Sequence, residues 1–217
     1  MSLENFNLQS LRMDYKAASL SESDIFENPF MQFDKWFSDA LNAKVLEPNA
    51  MCLATATETG LPTARIVLLK EFDVKGFVFY TNYDSEKGKT LLQNPVAALV
   101  FFWGDLERQI RIEGVVEKVN EAESDAYFKV RPKGSQFGAI ISQQSKVIPD
   151  RGYLEEKLEK LEKKYADKEV ERPKNWGGYR VIPNKIEFWQ GRRNRLHDRL
   201  VYLHQKDGLW KIVRLAP

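Results

Sequence analysis

The chain has 217 residues, 43% of them hydrophobic and 12% aromatic, which is enough apolar material for the core of one compact domain. Its 33 basic and 31 acidic residues leave a net charge of +2, which argues against a general nucleic-acid binder but leaves room for a local anion site. One cysteine, Cys52, excludes an internal disulfide, and one cysteine with two histidines is too few for a structural zinc site, so no metal is expected.

In chain order, residues 1–28 are polar and rich in Ser, Glu and Asp. They lack the apolar stretch of a signal peptide and read as a mobile or draped arm ahead of a single domain over residues 29–217. No run of about 18 apolar residues occurs, so no membrane span is expected and the expected location is the cytoplasm. From Pro29 onward, Phe30, Phe33, Trp36, Phe37, Ala40 and Leu41 recur at the spacing of one buried helical face, and Pro48 closes that region. Five short β-branched or aromatic runs follow: AMCLATAT, ARIVLLKEF, GFVFYTN, PVAALVFFW and RQIRIEGVVEKV. Turn signals at Gly60-Leu61-Pro62 and from Asp73 to Gly76 divide them. Cys52, inside the first run, reads as a small buried hydrophobe.

Strands so close in sequence predict antiparallel pairing in a meander or barrel, without crossover helices. Short helices fit Ser85 to Gln93 and Glu121 to Val130. A charged helix fits Glu155 to Tyr165, with Leu154, Leu158 and Leu161 as its apolar residues. Three last strands, GYRVIPNKIEFW, RLVYLHQ and LWKIVRL, end the chain, the final two joined by a turn at Lys206-Asp207-Gly208. The predicted fold class is mainly β with helices, a barrel carrying helices on its outside.

The nucleotide-binding patterns GxGxxG and GxxxxGK[ST] are absent, as is the GxSxG of a serine nucleophile. Three clusters carry chemistry instead. In RIVLLK, Arg65 and Lys70 bracket four aliphatic residues. A regular strand would point the two cations to opposite faces, so either they serve different surfaces or a bulge re-aims one; a buried strand with charged ends is the plain alternative.

In YFKVRPKGSQ, Tyr127 and Arg131 share a helical face, Pro132 stops the helix and Ser135 follows in a Gly-containing turn. Guanidinium, phenol and hydroxyl together suit a phosphate, although a solvated helix end accounts for the same residues. In RRNRLHDR, an extended tail would put Arg195, His197 and Arg199 on one face, a costly row unless an anion neutralises it. Trp189 leads into that run. His204, outside the clusters, reads as structural or exposed.

Taken together, RIVLLK, FYTN, ERQIRIEG, RP-x-GSQ-x-GA, QS, WGGYRV, IEFWQG and RLHDR, in this order and spacing, resemble the pyridoxine 5'-phosphate oxidase family over nearly the whole chain. The resemblance implies a split β-barrel of the FMN-binding type, FMN as cofactor and a homodimer with FMN at the interface. It implies oxidation of pyridoxine 5'-phosphate or pyridoxamine 5'-phosphate to pyridoxal 5'-phosphate. Hydride would pass from the substrate C4' to flavin N5, and O2 would reoxidise the flavin to give H2O2.

Residue by residue, it assigns Arg65 and Lys87 to the FMN phosphate. Ile66, Val67, Leu68, Leu69, Lys70, Tyr80, Thr81, Gln109, Gln144, Ser145, Trp189 and Arg199 become other FMN contacts. Lys70, Tyr127, Arg131 and Ser135 become the substrate-phosphate site. Arg195 and His197 are placed over the substrate ring as catalytic residues, and Arg12 and Tyr15 on an arm that closes over the site. Arg192 and Arg193 receive no role. Many members of that family carry a basic residue where this chain has Glu86, and an acid beside a phosphate site repels it.

Two other readings stay open: another FMN-binding split-barrel oxidoreductase or flavin reductase, and a non-enzymatic carrier of flavin or pyridoxal phosphate. The Tyr127–Arg131–Ser135 cluster separates the first of these, because only a phosphorylated substrate needs a second anion site.

Overall fold

The two-residue period of a strand sorts side chains between the faces of the sheet. In the computed structural model, which describes residues 14–166 and 168–217, β1 (Ala50–Ala56) buries Met51, Leu53 and Thr55 on one face. Cys52 therefore falls on the half-exposed face, which corrects the expectation of a buried thiol: a period of two sets it opposite its neighbours. The chain divides into two compact units, one of Asn49–Phe101 and Arg111–Lys185, the other of Met1–Pro48 as far as it is described, Phe102–Ile110 and Ile186–Pro217.

In the first unit, β1 pairs antiparallel with β2 (Pro62–Leu68), placing Thr55 opposite Thr63 and Leu53 opposite Arg65. β3 (Glu71–Asp73) pairs with β4 (Gly76–Asn82), which pairs with β7 (Trp176–Gln190). With β5 (Val96–Trp103) and β6 (Arg108–Lys118), the strand order is β2-β1-β5-β6-β7-β4-β3. The run ARIVLLKEF, expected as one strand, is thus two. The chain changes partners between them, with Leu69 N–H donating to Asn49 O (2.8 Å) and Lys70 N–H donating to Val78 O (2.9 Å).

Helix α2 (Glu86–Gln93) starts where Ser85 Oγ accepts from Gly88 N–H (3.3 Å), and α3 (Glu121–Val130) where Asn120 Oδ1 accepts from Glu123 N–H (2.8 Å). Gly88 is required: a Cβ there would stand 2.1 Å from Tyr83 O. The stretch after Pro132, expected as a turn, is helix α4 (Lys133–Ile141), so Ser135 sits in its first turn. Pro132 lies just before the helix, where its missing N–H costs nothing, and its carbonyl accepts from Ser135 N–H and Gln136 N–H. Helix α5 (Gly152–Lys164) begins three residues ahead of the predicted Glu155, with Asp150 Oδ1 accepting from Tyr153 N–H (2.9 Å). Its Leu158 and Leu161 pack on Phe128, Phe137, Val170 and Trp176.

In the second unit, α1 (Pro29–Asn42) buries Phe30, Phe33, Trp36 and Ala40, with Asn28 as its cap. It ends before Pro48 because Lys44 takes a left-handed conformation (φ 56°) and Val45 N–H closes on Ala40 O (3.0 Å). Trp36 meets the Phe188 ring edge-on at 5.2 Å. β8 (Asp198–His204) pairs with β7 and with β9 (Trp210–Arg214). The described part of the N-terminal segment lies along this unit. Leu20 N–H donates to Asp198, Tyr202 Oη donates to Phe26 O (2.6 Å), and Arg214 pairs with both Glu22 and Asp198. Among the described residues, no helix is long and apolar enough to cross a membrane.

Candidate active site

A cavity of about 1140 Å³ opens in the first unit, lined from β2, β4, α2, α4 and the end of α3. Its lining carries four cations, Arg65, Lys70, Lys87 and Arg131, against one acid, Glu86. None of the four forms an ion pair with a described carboxylate; their side chains meet neutral groups or none. Positive charge in that excess, in a chain of net charge +2, suits an anionic ligand.

Two parts of this lining have defined geometry. Arg65 donates through Nη1 to Thr55 Oγ1 (2.8 Å) and through Nη2 to Thr63 Oγ1 (2.7 Å). Lys87, buried near the start of α2, donates to Gln144 Oε1 (3.1 Å), which also accepts from Thr81 Oγ1 (3.1 Å). Burial, and then the nearby Arg65, hold the Lys87 pKa below the usual lysine value; Glu86 opposes them.

The other part is aromatic. Tyr127 stacks on Tyr80 (4.0 Å between ring centres), and Tyr80 on Trp176 (5.4 Å). The Arg131 guanidinium lies 4.5 Å from the centre of the Trp176 ring, and its Nη1 is buried without a hydrogen-bond partner. Burial pushes the Arg131 pKa down and the Tyr80 phenol up to about 12, so Tyr80 stays a neutral donor.

β2 is an edge strand, so one row of its backbone N–H and C=O groups lies outside the ladder where it lines the cavity. Such a row can read the donor and acceptor edge of a planar heterocycle. A phosphorylated ring therefore fits the residues present: cations for the phosphate, strand backbone for the ring.

The structure brings together most of the sequence-assigned residues. Arg65 to Leu68, Lys70, Tyr80, Thr81, Lys87, Gln144 and Ser145 line the cavity with Tyr127, Arg131 and Ser135. The strand break at Leu68 puts Arg65 and Lys70 on one cavity, which resolves their expected divergence. Leu69 is 5% exposed, packs into the core and is absent from the lining. Glu86 is exposed, and its N–H donates to Ser145 Oγ (3.3 Å). Sequence reasoning missed Thr63 and Trp176. Thr63 had a signal, since it lies two residues before Arg65 and shares its strand face; Trp176 had none beyond its place in WGGYRV.

The remaining assigned residues that are described belong to the second unit. Tyr15, Trp189 and His197 form a ring cluster, with Trp189 and His197 4.6 Å apart and Tyr15 edge-on to both. His197 Nδ1 accepts from Arg192 N–H (3.1 Å), so its neutral ring carries the proton on Nε2, as a donor. Burial, then Arg195, lower its pKa; Asp198 partly restores it.

The expected single row of Arg195, His197 and Arg199 does not form. Asn194 and Arg195 take left-handed conformations, and β8 starts only at Asp198. Arg199 grips the buried Glu187 with two hydrogen bonds, Nε to Oε1 (2.8 Å) and Nη2 to Oε2 (3.1 Å), so its charge already has a partner. Gln109 lies half-buried in β6. Arg12 lies outside the described residues.

Residues 37–165 match the family described as pyridoxamine 5'-phosphate oxidase, and residues 176–217 match the pyridoxine 5'-phosphate oxidase C-terminal dimerisation region. A pyridoxine/pyridoxamine 5'-phosphate oxidase of Nostoc sp. is 55% identical over 210 residues, 97% of this chain and 98% of its own. One of Gloeothece citriformis is 57% identical over 211 residues, 97% of this chain and 99% of its own.

Among solved structures, PhzG of Burkholderia lata 383, in complex with tetrahydrophenazine-1-carboxylic acid, is 31% identical with a TM-score of 0.85, covering 90% of this chain and 95% of its own. A pyridoxamine 5'-phosphate oxidase-related, FMN binding protein of Nostoc punctiforme is 16% identical with a TM-score of 0.69, covering 85% and 97%. The fold is of that split-barrel class, mainly β with helices.

Proposed function

This chain belongs to the pyridoxamine 5'-phosphate oxidase family, and from that premise we propose that it oxidises pyridoxine 5'-phosphate or pyridoxamine 5'-phosphate to pyridoxal 5'-phosphate with FMN as cofactor. The observation that carries the reading is the cavity with four cations and one acid, because a phosphorylated cofactor and a phosphorylated substrate together need more positive charge than a single phosphate would. When bound, FMN would supply two-electron redox chemistry, a hydride acceptor for the substrate C4' with O2 as the final oxidant and H2O2 as its product.

The protein's own groups bind and orient. Arg65 and Lys87 hold the FMN phosphate, and the β2 backbone from Ile66 to Leu68, with Tyr80, Thr81, Gln144 and Ser145, holds the rest of the cofactor. Tyr127, Arg131, Ser135 and Lys70 clamp the substrate phosphate; the unpartnered Arg131 Nη1 supports that assignment. Family resemblance assigns Leu69, Gln109, Trp189 and Arg199 to FMN as well, Arg12 and Tyr15 to the arm, and Arg195 and His197 to the substrate ring. There the guanidinium orients the ring and the imidazole Nε2–H donates a hydrogen bond. The match to a dimerisation region supports a homodimer, with FMN at its interface, and the absence of a membrane-length helix among the described residues is compatible with the cytoplasm.

The test is the absorption spectrum of the purified protein, followed by addition of pyridoxine 5'-phosphate without oxygen. A flavin spectrum that bleaches, and returns with pyridoxal 5'-phosphate on admitting air, is the expected result. A protein that cannot be loaded with FMN sinks the reading. A loaded protein that ignores both phosphorylated substrates, but is reduced by another donor, points to a different oxidoreductase on this fold.

A further inference from the structure

Arg65 is an arginine whose anchors are all neutral. Its Nη1 donates to Thr55 Oγ1 (2.8 Å) and, more weakly, toward Leu53 O (3.3 Å) and Thr63 O (3.4 Å), while Nη2 donates to Thr63 Oγ1 (2.7 Å). The two threonine hydroxyls are themselves 3.1 Å apart, fixed as a cross-strand pair of the β1–β2 ladder. Thr55 is 3% exposed, so its hydroxyl sits in the protein interior facing the cation.

The end of the guanidinium formed by Nη1 and Nη2 is thus occupied by the threonine pair. Nε and the second hydrogen of Nη2 have no partner among the described residues, and these two form the side edge of the fork, the edge that meets two oxygens of one anion. Neutral acceptors fix the plane of the guanidinium without cancelling its charge, as a carboxylate would. The contrast lies in the same chain, where Arg199 spends two donors on Glu187.

We propose that Thr55 and Thr63 are positioning residues that aim the side edge of Arg65 at the cofactor phosphate, and so set the preference for FMN over its dephosphorylated form. The inference rests on the assignment of Arg65 to that phosphate. Hydroxyl-to-cation bonds act through the guanidinium alone, so their loss weakens binding of the phosphate and leaves the ring's contacts intact.

The experiment titrates FMN, and separately riboflavin, into the flavin-free full-length chain, reading flavin fluorescence, for wild type, Thr55→Val, Thr63→Val, the double variant and Arg65→Ala. Thermal denaturation of each variant runs alongside. The double variant should bind FMN about tenfold more weakly, in line with loss of hydrogen bonds to a charged group, with riboflavin affinity unchanged. Thr55→Ser and Thr63→Ser keep the hydroxyls and should keep FMN affinity, which covers the case in which the double valine variant fails to fold. Valine variants that keep full FMN affinity while Arg65→Ala loses it would overturn the inference and leave the phosphate assignment standing. Equal losses for FMN and riboflavin would reduce the pair to a structural role and overturn it too. FMN affinity unmoved by Arg65→Ala would remove the assignment and the inference together.

Discussion

Arg131 and Trp176 meet as cation over ring, 4.5 Å from guanidinium carbon to ring centre, and the arginine's Nη1 stays buried and unpaired. A contact with the ring face holds the guanidinium while leaving its donors for an incoming anion. Arg131→Ala should raise KM for pyridoxine 5'-phosphate by about ten- to a hundredfold, the loss of a charge-assisted pair, while flavin content stays at the wild-type level. Arg131→Lys should recover little of this, since a point charge neither stacks nor forks. An unchanged KM in the alanine variant would remove Arg131 from the clamp.

The proposed function gives Arg195 the ring-orienting role. Arg195→Leu should lower kcat by about a hundredfold or more, the scale of a positioned catalytic group, with the flavin spectrum retained. The same change removes one of the two causes that depress the His197 pKa, leaving burial as the main one. The His197 ring signals in a proton NMR titration should therefore shift to a higher midpoint in the variant. Retained turnover would end the role assigned to Arg195, and an unmoved midpoint would mean the two side chains do not interact.

The depressed Lys87 pKa has a pH signature. In the flavin-free protein, burial and Arg65 disfavour the ammonium, so the unfolded chain binds more protons between the lowered pKa and the ordinary 10.5. Stability conferred by this group therefore rises with pH across that window. FMN affinity should run the other way: the phosphate needs the ammonium, and binding should weaken as pH rises through the lowered pKa, earlier than an ordinary lysine would allow. A fluorescence titration of FMN at a series of pH values from about 7 to 10 reads this, against the reference lysine range. Lys87→Arg should flatten the profile. A wild-type profile as flat as that of the arginine variant would remove Lys87 from the phosphate site.

Gly88→Ala tests how α2 presents Lys87. The new Cβ would stand 2.1 Å from Tyr83 O, a backbone atom that cannot swing aside. The cost should be about 1–3 kcal/mol of stability, as for other overpacked sites. Flavin content should fall along with the melting temperature. A variant with unchanged melting temperature would show that the helix start yields more readily than its packing implies.

Arg199→Ala should destabilise even the flavin-free protein. Glu187 is 2% exposed and would lose a two-point partner, a change worth about 3 kcal/mol for a buried pair. Differential scanning calorimetry of the flavin-free chain gives the answer. A loss appearing only in the FMN-loaded protein would make Arg199 a cofactor contact without a structural function.

The fold class and much of the cavity were legible in the sequence, because both rest on local signals. Short β-branched or aromatic runs between turn signals marked β1, β4 and β5, helical spacing marked α1, and the sequence strings that carry the family resemblance lie within single elements or adjacent ones. What the sequence could not supply was non-local. The change of strand partner at Leu69 and Lys70 brings Lys70 into the same cavity as Arg65, and that depends on Asn49 and Val78, distant in sequence.

Helix α4 was hidden because Pro132 and Gly134 are also turn residues; packing of Phe137 on Phe128 and Trp176 outweighs that local preference. The spacing of Arg195, His197 and Arg199 suggests one positive face, but Glu187 holds Arg199 and the backbone is left-handed at Arg195. Residue type and spacing thus determined which charges this protein carries. Only the tertiary structure decided which already have a partner, because pairing depends on distance in space, and Coulomb energy falls off over a few ångströms of protein while sequence separation sets no such limit.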